Sequence, residues 1–293
     1  MKESKAKGIG FVVASAAFFG IMPSFVVAAN LGGANSISVI FYRFLFSLPF
    51  VYGYLKFRRI DLRISKHEFR QILLITIFGF GGTTVLLFTS YTFIPSGMAT
   101  TIHYVYPVLI ILANVIFLKA RMNKTKLACA VLCLAAMALF NQGSASFNIV
   151  GIMLALSSGV TYCFYSIYYE KSSLSEMNGL KFLLYANAIT ALLAFAMAMG
   201  THSLSTSLTP AAWGCILFLA IGATFAGSFF YQRGVLEIGA QNAAILSTLE
   251  PIVSIIVGAV VYHERIGATG IIGSALIMTA AVVVAKIKTE DET

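Results

Sequence analysis

Apolar runs long enough to cross a bilayer, parted by short polar stretches, fill this chain from end to end. A membrane-spanning helix needs about 20 such residues. The pattern predicts spans over 8–29, 36–56, 69–90, 96–118, 125–141, 148–169, 178–200, 210–232, 240–262 and 266–286. The expected fold class is therefore an all-α membrane protein of ten transmembrane helices. The connections at 30–35, 91–95 and 141–147 are short, and nothing resembles a soluble domain or a disordered linker. Pro95 and Pro210 stand at span starts, where the missing N–H is harmless. The first apolar run follows a basic start containing Lys2, Lys5 and Lys7, but it exceeds the 7–15 residues of a signal-peptide core. It is read as a retained first helix.

Composition agrees with this pattern. Only 11% of residues are charged and 59% are hydrophobic, with mean hydropathy +0.88. A soluble domain carries about a quarter charged residues, so this chain could not cover a soluble surface. The net charge of +9 could suggest nucleic acid, but the distribution of the basic residues argues against it. With ten spans and the N-terminus inside, 18 of the 20 Lys and Arg fall in cytoplasmic segments. Arg265 falls outside and Arg43 within a span. The loops 30–35, 141–147 and 201–209 carry no Lys or Arg. This is the positive-inside pattern of a membrane protein. It puts both termini in the cytoplasm and predicts a lipid bilayer, not nucleic acid, as the partner. Cys129 and Cys133 are spaced like a metal pair, but no second Cys/His pair completes a site, so small packing residues are expected. No metal or cofactor is expected.

Two prolines interrupt the pattern. Pro107 and Pro251 lie 144 residues apart, each near the middle of a 23-residue apolar stretch. Shifting the chain by that interval aligns residues 95–121 with 239–265 and superposes Ala99 on Ala243, Pro107 on Pro251 and Arg121 on Arg265. Five spans lie on either side of residue 145. An odd number per half means the halves insert in opposite orientations. The basic stretch 56–70 and its uncharged counterpart 201–209 fit that inversion. Inverted repeats are a frequent plan of secondary transporters, with the binding site at their junction.

The candidate site follows from what is expensive in hydrocarbon. Glu250 precedes Pro251, and a charged side chain at mid-bilayer costs about 2.5–3.5 kcal/mol. It is expected to carry a proton or bind a cation, or else to be a fixed partner of Arg43. Pro107 and Pro251 free the carbonyls of His103 and Ser247, making both segments candidate hinges or static kinks. His103 and Tyr106 share a face, as do Ser247 and Glu250, and the shift superposes the pairs. Arg43 either meets a substrate carboxylate or anchors its helix. Tyr162 and Tyr165 share a face of the sixth span, as do Thr84, Phe88 and Tyr91 on the third and Phe225 and Phe229 on the eighth. These rings either line a cavity for an aromatic or cationic solute or simply pack. Gly270 and Gly273 on the last span allow close packing, within the chain or in a homodimer; monomer and homodimer both stay open.

The run from Gly234 through Ala243, Ser247, Glu250 and Pro251, then His263-Glu264-Arg265-Ile266, Gly270 and Gly273, resembles the second repeat of the EamA-type drug/metabolite transporters. The likeness spans both halves, 1–145 and 146–293, as one integrated membrane domain. Tyr106 stands where Glu250 has its equivalent, Lys119-Ala120-Arg121 replaces the Glu-Arg turn, and Phe19-Gly20 stands where many relatives have Trp-Gly. The resemblance implies a secondary transporter of the cytoplasmic membrane, as in a bacterial inner membrane. It would move a small metabolite by alternating access, with spans 1, 3, 4, 6, 8 and 9 lining the cavity. Amino acids, aromatic ones included, or related organic ions are the expected solutes, export the expected direction and protons the expected co-partner. The alternatives are an uptake carrier for an organic cation, a membrane-embedded enzyme using Glu250 and His103, and a non-transporting subunit with a filled centre. There is no Walker-A loop, His-Glu-x-x-His or Gly-x-Ser-x-Gly run, so no ATPase or hydrolase motif supports an enzyme.

Overall fold

A computed structural model describes residues 2–94, 96–140, 148–261 and 268–286. Pro95, the loop 141–147 and the His263–Ile266 motif with Arg265 lie outside the described residues. The described residues form helices and no strands. In order they are α1 (Lys2–Leu31), α2 (Ser36–Phe57), α3 (Lys66–Ile75), a π-helical turn (Thr76–Phe80), α4 (Gly81–Ser90), α5 (Ser96–His103), α6 (Tyr106–Leu118) and α7 (Lys124–Phe140). Then come α8 (Ile149–Lys171), a 3-10 turn (Ser173–Ser175), α9 (Gly179–Gly200), α10 (Pro210–Leu219), a second π-helical turn (Ala220–Gly227), α11 (Ser228–Ile238), α12 (Ala240–Ser247), α13 (Glu250–Val261) and α14 (Ala268–Lys286). Among the described residues, eight helical stretches are long and apolar enough to cross a membrane. The 17-residue α7 and the apolar Ile271–Val284 of α14 are shorter, and these two helices pack on each other. The eighth span runs on from Pro210 to Ile238, past the 232 expected.

The helix starts follow from local chemistry. Asn148 and Asn178 each accept two backbone N–H bonds from the first turn of the helix they open. Thr209 caps α10 with Pro210 just inside it, and Ser65 and Glu68 form a reciprocal capping box on α3. Each such cap satisfies donors that a helix end leaves open. Asn35 does more than cap α2. Its side chain accepts from Ser38 N and donates to Ser203 O and Ser205 Oγ, tying the α1–α2 turn to the 201–209 loop. Replacing Asn35 with alanine is expected to lower the melting temperature in detergent by about 2–4 °C, from a cap worth about 1 kcal/mol. An unchanged melting temperature would show that this tie carries no load.

One interval recurs among five pairs of elements. α3, the first π-turn, α5, α6 and α7 begin at 66, 76, 96, 106 and 124; α10, the second π-turn, α12, α13 and α14 begin 144 residues later, at 210, 220, 240, 250 and 268. Both proline segments break alike. α5 ends at His103 and α6 starts at Tyr106, while α12 ends at Ser247 and α13 starts at Glu250. Within the breaks, Val105 N bonds to Ile102 O and Leu249 N to Leu246 O. A ring with no N–H at Pro107 and Pro251 cannot continue the ladder, and a tight turn takes its place.

α1 and α8 each pack against one of these two sets. α1 lies against α10, the second π-turn, α11, α12 and α13, while α8 lies against α3, the first π-turn, α4, α5 and α6. α2 and α9 pack on each other, with Asn187 Nδ2 donating to Ser47 Oγ at 2.8 Å across that buried seam. Ser15 Oγ donates to Gly227 O at 2.9 Å, fixing α1 on the second π-turn. Gly159 faces the carbonyl of His103 and Gly20 that of Glu250, both too closely for a Cβ to fit without a shift. Gly273 is buried on α14, which packs against α7 and α12, so contacts within the chain occupy it.

Candidate functional site

The two broken helices meet beside a cavity of about 560 Å³. Its wall is drawn from α1 (Phe19 to Asn30), α2 (Ser36, Arg43), α4 (Thr83, Thr84, Leu87, Phe88), the α5–α6 break, Tyr162 of α8, and the start of α13. Asn30 and Ser36 bring it up to the α1–α2 turn. Tyr106 and Tyr162, whose ring centroids lie 4.6 Å apart edge to face, stand on its wall. Tyr162 in turn abuts Tyr165 and Tyr231, at 5.6 and 5.5 Å between centroids. Tyr165, Tyr169 and Tyr231 are at most 2% exposed. They are knit by Gln232, which donates to Tyr165 Oη and accepts from Tyr169 Oη, and by a Ser166–Tyr231 bond at 3.0 Å. This polar-aromatic layer closes the bundle next to the cavity.

Two bonds bolt one break to the other. Tyr104 Oη donates to Glu250 Oε2 at 2.8 Å. The hydroxyls of Tyr106 and Ser247 are also bonded. Ser247 Oγ donates to Ala244 O, so the Tyr106 hydroxyl is the donor to Ser247. His103 Nδ1 lies 2.9 Å from Ser158 Oγ, which gives its own proton to Ala155 O; His103 therefore donates through Nδ1. Its ring packs against Tyr104, Tyr106 and Tyr162. Among the described residues no hydrogen bond joins His103 to Glu250, and no ion pair joins Glu250 to Arg43.

The structure thus gathers Glu250, His103, Tyr106, Tyr162, Thr84, Phe88, Arg43 and Pro251 on one cavity wall. Ser247 is fully buried behind Tyr106, Tyr165 lies in the closing layer, and Pro107 sits buried at the start of α6. Phe229 points elsewhere, beside Phe230 and Gly179. The expected lining by spans 1, 3, 4, 6, 8 and 9 needs correction. The eighth span supplies no lining residue and the second supplies Ser36 and Arg43. The second π-turn packs behind α1 and α2, with Gly222 and Gly227 against Phe18 and Phe19, and those two helices cover it. Tyr104, bonded to Glu250 and lining the cavity, is a site residue that the sequence pattern does not single out. The signal available was its place between His103 and Tyr106, three residues before the proline-broken turn is complete.

Comparison with known proteins places this chain among transport proteins. Residues 6–142 and 148–286 each match the EamA-like transporter family. An uncharacterized transporter of Archaeoglobus fulgidus is 24% identical over 225 residues, covering 76% of this chain and 80% of the relative. The uncharacterized transporter YwfM of Bacillus subtilis is 24% identical over 150 residues, 50% of this chain and 49% of that one. A solved crystal structure superposes with a TM-score of 0.82 at 18% identity, covering 97% of both chains, which shows a shared fold. With its apolar helices this is a multi-pass membrane protein of the transport class. The chain belongs to the EamA-like transporter family.

Proposed function

We propose that the protein is a secondary active transporter that moves a small metabolite, an amino acid or a related organic ion, across the cytoplasmic membrane by alternating access. The observation that carries this reading is the meeting of the two proline breaks at a cavity, with Tyr104 of one bonded to Glu250 of the other. A solute at Glu250 touches both broken helices at once, so its arrival and departure can bias their packing. The full topology in this reading has ten spans in two inverted five-helix repeats, with α7 and α14 as the fifth and tenth and both termini in the cytoplasm. The recurring helix starts support the repeats, and the exchange of α1 and α8 between the two sets supports their pseudo-two-fold relation. The cavity reaches the α1–α2 turn, whose lack of Lys and Arg supports its lying on the outer side, and in this reading the cavity opens outward. The tyrosine layer is then the inner closure.

Export driven by proton exchange is the direction and coupling we favour. The cavity counts against a non-transporting subunit with a filled centre, and the absence of a His103–Glu250 bond gives an acid–base enzyme no reactive pair. Flux into proteoliposomes, using labelled amino acids and amines with and without a pH gradient, tests the proposal. Saturable flux of at least one solute, enhanced by the gradient, is expected. If no solute of a broad panel moves above empty vesicles, the transporter reading fails.

A further inference from the structure

Arg43 has more bonding capacity than the protein uses. It is only 5% exposed and lines the cavity. Its Nη1 donates to the thioether of Met22 at 2.9 Å, a weak acceptor. Its guanidinium carbon lies 4.8 Å from the centroid of Phe44 and 4.9 Å from that of Phe88. Its Nε has no hydrogen-bond partner, and no carboxylate pairs with Arg43 among the described residues. A guanidinium presents five donors in a planar fork, and a buried cation without an anion is costly. Two rings and a sulfur hold the group in place without neutralising it. The arrangement is that of a fork awaiting a planar anion.

Glu250 is the opposite pole of the same cavity. It accepts from Tyr104, and no cation pairs with it among the described residues. Arg43, Tyr91 and Glu250 all line this one cavity. Phe19, Phe88, Tyr106 and Tyr162 line the rest of the space. One cation and one carboxyl, each lacking a counter-ion among the described residues, face a cavity large enough for a small solute.

The geometry points to a zwitterionic solute, with its carboxylate on Arg43, its ammonium on Glu250 and an aromatic or apolar side group against the rings. This rests on the transporter reading above and narrows it, setting aside the organic-cation alternative. A solute lacking the carboxylate leaves Arg43 buried and uncompensated, and a site built for a polar group discriminates strongly against the analogue that lacks it.

Three probes with one ring isolate the charges: L-phenylalanine, phenethylamine and 3-phenylpropionate. Their binding to the purified full-length protein is measured by calorimetry, beside the flux panel. Phenylalanine is expected to bind at least about tenfold tighter than either single-charge analogue, or about 1.4 kcal/mol. Arg43→Gln should bring phenylalanine down to the level of the amine and change amine binding less than about threefold, while Arg43→Lys retains part of the preference. The wild-type comparison needs no variant, so it decides even if Arg43→Gln does not fold. Amine binding as tight as that of phenylalanine overturns the proposal, as does an equal loss for both ligands in Arg43→Gln. If the only solutes bound or transported lack one of the two charges, the zwitterion proposal falls and the transporter reading stands. If nothing binds and nothing moves, both fall.

Discussion

Replacing Glu250 with glutamine is expected to cut solute flux at least about tenfold, equivalent to about 1.4 kcal/mol of lost stabilisation, and to flatten its response to a pH gradient. Glutamine keeps the size of glutamate and a carbonyl oxygen that can still accept from Tyr104, so the bond between the two breaks survives. What disappears is the charge and the ability to exchange a proton. Glu250 is the sole carboxylate among the described lining residues, so no neighbour can take over either role. Tyr104→Phe makes the reciprocal change, keeping the carboxylate and removing the donor, and should leave the gradient response in place. Wild-type flux with an unchanged pH profile in Glu250→Gln would end the coupling proposal.

The second large effect is steric. Gly20 of α1 lies so close to α13 that a Cβ would come within 2.5 Å of Glu250 O and 2.6 Å of Val253 Cβ. One obstacle is backbone and the other a branched side chain, so neither can swing aside. Overpacking of this kind costs about 1–3 kcal/mol, and here it falls on the contact between the first helix and the start of α13. Gly20→Ala is expected to reduce flux at least about tenfold and to lower the melting temperature in detergent. Gly10 supplies the control. It lies on the same helix with nothing within 4 Å of its would-be Cβ, and Gly10→Ala should behave as wild type. Equal behaviour of the two variants would mean that the α1–α13 contact is not needed for transport.

The legible parts of this molecule are those set by a local rule. Proline has no N–H, and the breaks before Pro107 and Pro251 could be placed to within a residue or two. A carboxyl between apolar runs needs a polar neighbour, and Glu250 has one in the cavity. The helices expected at 36–56 and 178–200 are seen at Ser36–Phe57 and Gly179–Gly200. The illegible parts depend on rotation about a helix axis. Periodicity put Tyr162 and Tyr165 on one face, but three residues along a helix is also a rise of most of a turn, and only Tyr162 reaches the cavity. Continuous helical spacing across His103 and Tyr106 hid Tyr104, because the break turns its side chain toward Glu250. Phe229 was paired with Phe225 by spacing alone, and the packing of α1 and α2 in front of the second π-turn took that helix away from the cavity. The π-turns at Thr76 and Ala220 follow no simple spacing rule. They add a residue to a turn where glycine-rich stretches meet a neighbouring helix.

The packing of α1 on α10–α13 has a consequence for how the protein is made. Most of the neighbours of α1 lie beyond residue 210, so during synthesis it enters the bilayer long before they exist. Lipid can cover its apolar surface meanwhile, since an isolated transmembrane helix is stable in its own right and association follows as a separate step. The seat it must hold open for includes the Ser15–Gly227 bond and the glycine contact at Gly20. The N-terminal portion of the chain cannot finish folding by itself. Translation of the last third is the event that completes the packing of the first helix.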